Sequence, residues 1–322
     1  MHAIIVDGDR LTWQETPTPP APQGREVRLG VAWAGVNRAD LMQRAGHYPP
    51  PPGASELLGL EVSGRVLEAG PEARLRPGER VCALLAGGGY AEQVVVDERQ
   101  VLPLPEGIAL REAAALPEVF ATAWLNLFME GQLRPGERVL LHAAASGVGT
   151  AAIQLCRAFG QPCFATAGSA AKLAACRELG ADAGWNRHDG SFVNAVKAWG
   201  GADLILDPVG GRYLADNQRV LNADGRLVLI GLMGGRRAEL DLGRLLMKRQ
   251  RLLGSTLRAR PPEAKGEILA ALHAHVWPRL TSGELRPLVD RTWPIAEAEA
   301  AHAHVQADAN IGKVLLEVSG EG

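Results

Sequence analysis

A short apolar run, a turn of small residues and a helical pattern follow one another near the middle of this chain. The turn Arg134-Pro135-Gly136-Glu137 leads into apolar Val139 to Leu141, and Ser146-Gly147-Val148-Gly149 follows. Apolar residues then recur every three or four positions, at Val148, Ala152, Leu155 and Phe159. The pattern predicts a strand, a glycine turn and a helix. A pyrophosphate can bind the first N–H groups of such a helix where no side chain covers the backbone.

Helix and strand patterns alternate from about residue 119. A helix is predicted over Val119 to Glu130, and further strands are predicted at Pro162 to Ala167, Ala183 to Asn186, Leu204 to Asp207, Arg226 to Ile230 and Leu252 to Leu257. Alternation on this scale is typical of a parallel sheet with helices on both faces. We therefore expect residues 119–258 to form an α/β dinucleotide-binding domain.

The chain before residue 119 has a β-rich texture. Glycine and proline clusters separate short strand-forming runs at Val27 to Trp33, Glu61 to Glu68, Arg80 to Leu85 and Ala91 to Val96. Frequent short strands of this kind predict a compact barrel-like or sandwich domain. We assign residues 1–118 to it and expect residues 259–322 to complete it, with Gly312 to Val318 folding back onto it.

Composition narrows the classes of function. With 322 residues and 47% hydrophobic content, the chain can fill two cores. Its net charge of −2 gives no indication of binding to nucleic acid or to an acidic membrane. The N-terminus has no basic stretch before a long apolar run, and no window approaches the roughly 18 apolar residues of a membrane span. The four cysteines lack metal-binding spacing. We expect buried cysteines and a cytoplasmic protein that acts on a small molecule.

The end of the second predicted strand bears on the choice of dinucleotide. A carboxylate about 20 residues after the glycine turn usually holds the ribose 2′-OH of NAD. Here the strand ends Ala165-Thr166-Ala167-Gly168-Ser169, without an acid. Ser169 can donate a hydrogen bond, Lys172 follows one turn into the next helix, and Arg187 follows the third strand. These residues predict a 2′-phosphate site and NADPH, the alternative being that Lys172 and Arg187 are ordinary surface charges.

Several motifs, in order along nearly the whole chain, resemble those of one family. They are Asn37-Arg38-Ala39-Asp40-Leu41-Met42-Gln43-Arg44, Pro50-Pro51-Pro52-Gly53-Ala54-Ser55, Gly59-Leu60-Glu61, Ser146-Gly147-Val148-Gly149-Thr150-Ala151-Ala152-Ile153-Gln154-Leu155, Gly231-Leu232-Met233-Gly234-Gly235 and Asn310-Ile311-Gly312-Lys313. The family is the medium-chain dehydrogenase/reductase superfamily. More narrowly, the motifs resemble its zinc-independent quinone oxidoreductases, closest to the tumour-suppressor-inducible branch. The resemblance implies a GroES-like β-rich lobe, a Rossmann lobe with a doubly wound parallel sheet, NADPH as hydride donor and a homodimer joined through the Rossmann sheets.

The residues at the metal positions of that family differ from zinc ligands. Zinc-dependent relatives use a cysteine in the first lobe and the histidine of a Gly-His-Glu string. Here the first stretch reads Asn37-Arg38-Ala39-Asp40, and Leu60 stands where the histidine would be. We therefore expect no metal and an acceptor that is already electron-poor, such as a quinone or an α,β-unsaturated carbonyl.

Three residues are candidates near the nicotinamide and the substrate. Tyr48, in a glycine- and proline-rich loop, either donates a hydrogen bond to the oxygen that gains charge or only walls the pocket. Asn37 lies near the nicotinamide ribose by resemblance, although an asparagine after a strand is often a turn former. Thr122 resembles the residue that meets the nicotinamide amide, the alternative being a capping or core threonine.

Further candidates follow the later strands. Gly231, Leu232 and Met233 come after a strand, at the sheet edge where ligands bind in open α/β folds. By resemblance, Leu257, Arg258 and Asn310 close over the cofactor, and Arg187 replaces a tyrosine common at its position. The histidines His302 and His304, spaced i, i+2, are expected to point to different sides of a helix and to be solvated.

Together these features predict an NADPH-dependent quinone reductase that works by direct hydride transfer without metal or flavin. One alternative is a reductase of the C=C bond of enals or enones, which needs the same donor and a firmer proton source such as Tyr48. A non-enzymatic alternative is an NADPH-binding sensor or crystallin-like protein with little turnover.

Overall fold

The computed structural model describes residues 1–319 and divides them into two compact units. Unit 1 comprises Met1–Ala121 and the chain from Leu257 onward, and unit 2 comprises Thr122–Thr256. The sequence-derived domain boundaries, after residues 118 and 258, stay predictions. In the described part of the chain no helix combines the length and apolar character needed to cross a bilayer.

The first part of unit 1 is rich in strands. Its strands are β1 His2–Asp7, β2 Arg10–Glu15, β3 Glu26–Val36, β4 Glu61–Ala69, β5 Arg80–Leu84, β6 Gln93–Asp97 and β7 Val101–Pro103. The helices of this part of the chain are α1 Arg38–Arg44, α2 Leu110–Ala113 and α3 Pro117–Trp124, and α3 continues into a π-helical turn over Leu125–Met129. The predicted single helix over Val119 to Glu130 is thus a short α-helix followed by a wider turn.

Strands and helices alternate in unit 2. Its strands are β8 Val139–Leu141, β9 Cys163–Ala167, β10 Ala183–Asn186, β11 Ala202–Asp207, β12 Leu221–Leu229 and β13 Arg251–Gly254. Its helices are α4 Gly147–Ala158, α5 Ala170–Leu179, α6 Val193–Trp199, α7 Leu214–Val220 and α8 Leu242–Lys248. The last strand ends at Gly254, three residues before the predicted end at Leu257.

The C-terminal stretch returns to unit 1. It contributes helices α9 Pro262–His275, α10 Trp277–Thr281 and α11 Ala298–Gln306, and strands β14 Val289–Pro294 and β15 Lys313–Glu317. Strand β15 pairs antiparallel with β3, with Val314 opposite Val36. The predicted return of Gly312 to Val318 to the first lobe is therefore confirmed.

Besides the antiparallel pair β1–β2, the described residues form two larger sheets with different topologies. In unit 1 the order is β14-β15-β3-β4-β5-β7, with β6 also paired to β3, around a core that includes Val27, Leu29 and Val31. In unit 2 the order is β10-β9-β8-β11-β12-β13, and every neighbouring pair is parallel. This order, in which the chain winds outward in both directions from β8, is that of a doubly wound Rossmann sheet. The predicted fold class is confirmed.

A glycine at the centre of the unit 1 sheet allows two strands to approach closely. A Cβ placed on Gly64 would overlap the backbone carbonyl oxygen of Gly30. The three atoms nearest to a Cβ placed on Gly30 all belong to the side chain of Leu67, at 3.2 Å, and Leu67 is 48% exposed. Space is therefore restricted by rigid backbone at Gly64 and by a movable side chain at Gly30.

We expect Gly64→Ala to lower the free energy of unfolding by about 1–3 kcal/mol, because backbone must shift to admit the methyl group. The matched change Gly30→Ala should cost less than about 1 kcal/mol, since Leu67 can rotate away. Urea unfolding followed by tryptophan fluorescence measures both. Equal effects of the two changes would contradict this view of the sheet.

Candidate functional site

The glycine turn of unit 2 forms the start of α4 at the carboxyl end of β8. The Ser146 hydroxyl oxygen accepts a hydrogen bond from the Gly149 N–H at 3.2 Å and caps the helix. A Cβ on Gly149 would lie 2.5 Å from the carbonyl oxygen of Ala144, so only glycine permits this close packing. Ser146, Gly147, Val148 and Gly149 thus form the predicted strand–turn–helix geometry, which suits a pyrophosphate.

The residues predicted to meet a 2′-phosphate lie at the carboxyl ends of the neighbouring strands β9 and β10. The Ser169 hydroxyl accepts from the Lys172 N–H at 3.2 Å, so Ser169 caps α5 and Lys172 stands in its first turn. The Arg187 N–H donates to the Ala167 carbonyl at 2.9 Å. The Arg187 guanidinium lies over Gly168, where an added Cβ would be 3.0 Å from its Nε. A serine and two basic residues therefore follow strand ends that lack a carboxylate.

Gly231, Leu232 and Met233 follow β12 at this same carboxyl edge, because all strands of the sheet are parallel. Leu232 and Met233 are 46% and 50% exposed. Gly231 packs against backbone, since its added Cβ would be 2.8 Å from the Pro208 carbonyl oxygen. The loop thus offers apolar side chains on a closely packed base, which suits contact with a cofactor.

A buried polar chain holds three of these strand ends in place. The Asp207 carboxylate accepts from the Asn217 amide at 2.9 Å, and the Asn217 oxygen lies 2.8 Å from His142 Nε2. His142 Nδ1 lies 2.9 Å from the Thr166 hydroxyl. Burial lowers the pKa of His142, so the ring is neutral. Because Nε2 must donate to the Asn217 oxygen, Nδ1 accepts from Thr166.

Thr122 lies in unit 2, near the end of α3. It is 9% exposed, and its carbonyl oxygen accepts from the Asn126 amide at 2.7 Å. This places Thr122 in a packed helix, and contact with the nicotinamide amide stays a prediction.

In unit 1 Asn37 belongs to a buried charged network. The Asn37 amide nitrogen donates to Glu61 Oε1 at 3.0 Å, and its oxygen accepts from Lys313 Nζ at 2.8 Å. Lys313 Nζ lies 2.5 Å from the same Glu61 oxygen and donates to the Val36 carbonyl at 2.8 Å. The side chains of Lys313 and Glu61 are only 3% and 0% exposed. Three motifs that are distant in sequence therefore meet in one cluster, and both polar ends of the Asn37 amide are engaged.

A second buried group adjoins this network. Asp40 accepts from the backbone N–H groups of Asn37 at 2.7 Å and Gly59 at 3.1 Å, and from the Tyr90 hydroxyl at 3.3 Å. Complete burial raises the pKa of Asp40 to about 6, against the lowering effect of its hydrogen bonds. The Tyr90 hydroxyl also lies 3.1 Å from His302 Nε2, and His302 is only 2% exposed. The expectation that His302 is solvated was wrong, because α11 packs this face onto the core.

Tyr48 and Arg258 are paired. The Arg258 guanidinium lies 5.3 Å from the centre of the Tyr48 ring and donates to the Tyr48 carbonyl at 3.2 Å, to Gln43 at 2.6 Å and to Ala86 at 2.8 Å. Tyr48 is half-buried, and burial raises the pKa of its phenol although Arg258 lowers it. Tyr48 is thus a protonated phenol held in place by a cation.

Leu257 and Asn310, the remaining candidates of unit 1, lie in its C-terminal part. Leu257 is buried, at 6% exposure. The Asn310 amide donates to the Gly312 carbonyl at 2.7 Å and so shapes the turn that leads into β15. The contact of Leu257, Arg258 and Asn310 with a cofactor stays a prediction.

Sequence reasoning missed two charged residues of unit 1. Glu118 lies in the first turn of α3, and its Oε2 is buried without a hydrogen-bond partner within residues 1–319. Burial raises the pKa of Glu118 to about 8, and the negative charge of Glu61 adds to the effect. Lys265 in α9 is only 2% exposed, and burial lowers its pKa. For Glu118 the available signal was its position inside the apolar stretch Leu116-Pro117-Glu118-Val119-Phe120, whereas Lys265, between Glu263 and Glu267, gave no such signal.

No group of three or more His, Cys, Asp or Glu side chains in the described ranges could hold a metal ion. All four cysteines are buried and free, as the sequence predicted.

Comparisons with known proteins agree with this architecture. A family model described as zinc-binding dehydrogenase matches residues 147–273, and one described as alcohol dehydrogenase GroES-like domain matches residues 23–106. The rat synaptic vesicle membrane protein VAT-1 homolog is 33% identical over 98% of this chain and 84% of its own length.

Two solved structures are similar over nearly the whole chain. The quinone oxidoreductase of Thermus thermophilus, whose structure was also determined in complex with NADPH, is 36% identical. It superposes with a TM-score of 0.84 and covers 99% of this chain and 100% of its own. The CurK enoyl reductase is 27% identical, with a TM-score of 0.84 and 98% coverage of both chains.

We expect Lys313→Met to lower the free energy of unfolding by roughly 3–5 kcal/mol, because Glu61 would remain buried without its cation. The double variant Glu61→Gln with Lys313→Met should recover part of this loss, since no uncompensated charge then remains. Urea unfolding of both variants, with Lys197→Met as a control, measures the effect. A loss below about 1 kcal/mol in the single variant would show that the pair does not stabilise the fold.

Proposed function

The chain belongs to the medium-chain dehydrogenase/reductase superfamily, and we propose that it is an NADPH-dependent quinone reductase. As an oxidoreductase of this superfamily it uses a nicotinamide cofactor, whose bound reduced ring supplies the hydride. The proposal is that the hydride passes directly to the acceptor, without metal or flavin. The tumour-suppressor-inducible branch within the family stays a prediction.

The observation that carries the proposal is the state of Asn37. By resemblance Asn37 stands where zinc-dependent relatives have a cysteine, and here its amide bridges Glu61 and Lys313 at 3.0 and 2.8 Å. An amide engaged at both ends, beside a lysine, is poorly suited to binding a cation. Since a metal would not polarise the carbonyl, the acceptor must already be electron-poor, and a quinone meets this requirement. The similarity to a quinone oxidoreductase supports the same assignment.

NADPH is the cofactor that we propose for unit 2. Ser146 to Gly149 would receive the pyrophosphate, and Ser169, Lys172 and Arg187 would hold the 2′-phosphate. Gly231 to Met233 would border the nicotinamide half. Charge complementarity supports this choice over NADH, because two cations and a serine hydroxyl stand at a strand end without an acid.

Tyr48 is proposed to line the acceptor pocket rather than to supply the proton. Its phenol has a raised pKa, so it releases a proton reluctantly, and the Arg258 guanidinium lies against its ring. Leu257, Arg258 and Asn310 are proposed to contact the cofactor.

Reduction of the C=C bond of enals or enones is the second candidate. The similarity to an enoyl reductase favours it, and the same hydride donor would serve. The two candidates differ in the acceptor and in the need for a proton on carbon.

Steady-state NADPH consumption by the purified protein separates the candidates. We expect turnover with an ortho- or para-quinone to exceed turnover with a simple enone, because the quinone needs no activation. Superoxide formation is followed in parallel to show one-electron products. Faster turnover with the enone would move the assignment to alkene reduction, and absence of turnover with every acceptor would refute both.

Replacing Lys172 and Arg187 together with alanine should weaken NADPH binding roughly 10- to 100-fold, since charge-assisted hydrogen bonds to the 2′-phosphate are lost. NADH binding should change little. Fluorescence titration measures the binding of both cofactors. Arg177→Ala, in the last turn of α5, the helix that carries Lys172, serves as a control. Equal losses for the two cofactors would refute the phosphate assignment.

We further propose that the protein is a homodimer joined through the edge of the unit 2 sheet. Strand β13 ends the strand order, and α8, which precedes it in the chain, exposes Leu242, Leu246 and Met247 by 67%, 76% and 78%. Apolar exposure of this extent is typical of an interface. A second copy of the chain fits because a two-fold axis pairs an edge strand with itself.

Changing Leu246 and Met247 to glutamate should convert the dimer into a monomer, because two charges would be buried in the interface. Sedimentation measures the mass, with Leu67→Glu on unit 1 as the control. A monomeric wild type, or a double variant that remains dimeric, would contradict the assignment.

A cytoplasmic location is proposed as well. The four cysteines are free and buried, which fits a reducing compartment.

A further inference from the structure

One carboxyl oxygen of unit 1 lacks the partner that burial normally demands. Glu118 Oε2 is buried and has no hydrogen-bond partner among residues 1–319, whereas the Glu118 backbone N–H donates to Glu61 Oε2 at 2.9 Å. The side chain as a whole remains partly exposed. A buried polar atom without a partner is costly, so it points to a ligand that completes it.

The groups around Glu118 favour its neutral form. Glu61 and Asp40 face it as carboxylates, and Lys313 and Lys265 face it as amines. Lys313 is already committed to Glu61, at 2.5 Å, and burial disfavours the charged form of Lys265. Tyr48 and Arg258 also lie within electrostatic reach. With burial the largest effect, the pKa of Glu118 rises to about 8. At neutral pH the residue is therefore a protonated acid with a hydrogen to donate.

The position of Glu118 in α3 relates it to a proposed cofactor contact. Glu118 and Thr122 are four residues apart in one helix, so both side chains project from the same side of it. Thr122 is the residue proposed to meet the nicotinamide amide. Glu118 is also within electrostatic reach of Tyr48, which is proposed to line the acceptor pocket.

We propose that Glu118 is the catalytic acid that protonates the reduced acceptor. This inference rests on the proposed function, and it adds the source of the proton that the reduced acceptor takes up. The acceptor gains two electrons and one hydrogen as hydride. The O–H bond of Glu118 breaks, and an O–H bond forms on the acceptor oxygen that has become negative. The resulting carboxylate then regains a proton from water, so atoms and charges balance.

The pH dependence of the rate follows from this role. The acid is present below its pKa and is lost as pH rises through it, so kcat should fall above about pH 8. Glu118→Gln keeps size and polarity but has no acidic proton. It should lower kcat roughly 10²-fold and abolish the alkaline limb. Glu106→Gln, at an exposed carboxyl of unit 1, should change neither kcat nor its pH dependence. Tyr48→Phe should keep the fall of kcat at alkaline pH.

A second readout does not need turnover. In infrared spectra recorded across the pH range, the C=O band of a protonated carboxyl should titrate near pH 8 in wild type and be missing in Glu118→Gln. Absence of that band in wild type, or an unchanged pH profile in Glu118→Gln, would overturn the inference. If wild type fails to oxidise NADPH with any of the acceptors offered, the proposed function fails, while the infrared titration still decides whether Glu118 is the protonated acid.

Discussion

The buried pair of Lys313 and Glu61 is the interaction on which unit 1 depends. Two opposite charges, each almost wholly removed from water, are tolerated only when each is paired and hydrogen-bonded. Here Asn37 bridges both of them and the Val36 carbonyl accepts from the lysine. These residues come from β3, the turn after it, β4 and β15. The pair therefore links the N-terminal part of unit 1 to its C-terminal part.

That arrangement also explains how burial can generate an acid. Glu61 is committed to Lys313 and receives the backbone N–H of Glu118, so its negative charge lies beside the Glu118 carboxyl. A second negative charge there is unfavourable, and Glu118 keeps its proton. Unit 2 instead has basic residues, Lys172 and Arg187, after the ends of β9 and β10. His142 is buried among the strand ends, and burial keeps it neutral.

The sequence predicted the fold well because its signals were local. The strand–glycine–helix pattern around Gly147 and the alternation that follows depend on neighbours in the chain, and both are present in the structure. The 2′-phosphate candidates could be found since the ends of adjacent parallel strands meet at one edge. Glu118, Lys265 and His302 could not be assigned in this way, because their properties come from burial by elements distant in sequence. Asn37 was identified as a candidate, but its partners Glu61 and Lys313 belonged to motifs whose contact only the folded sheet reveals.

In the proposed reaction, hydride passes directly from NADPH to a quinone without a metal. Single-turnover oxidation of NADPH deuterated at either face of nicotinamide C4, using protein treated with a metal chelator, tests this step. We predict that deuterium at one face slows quinone reduction, that deuterium at the other does not, and that the chelator has no effect. Loss of activity on chelation, or a rate insensitive to deuterium at both faces, would contradict it.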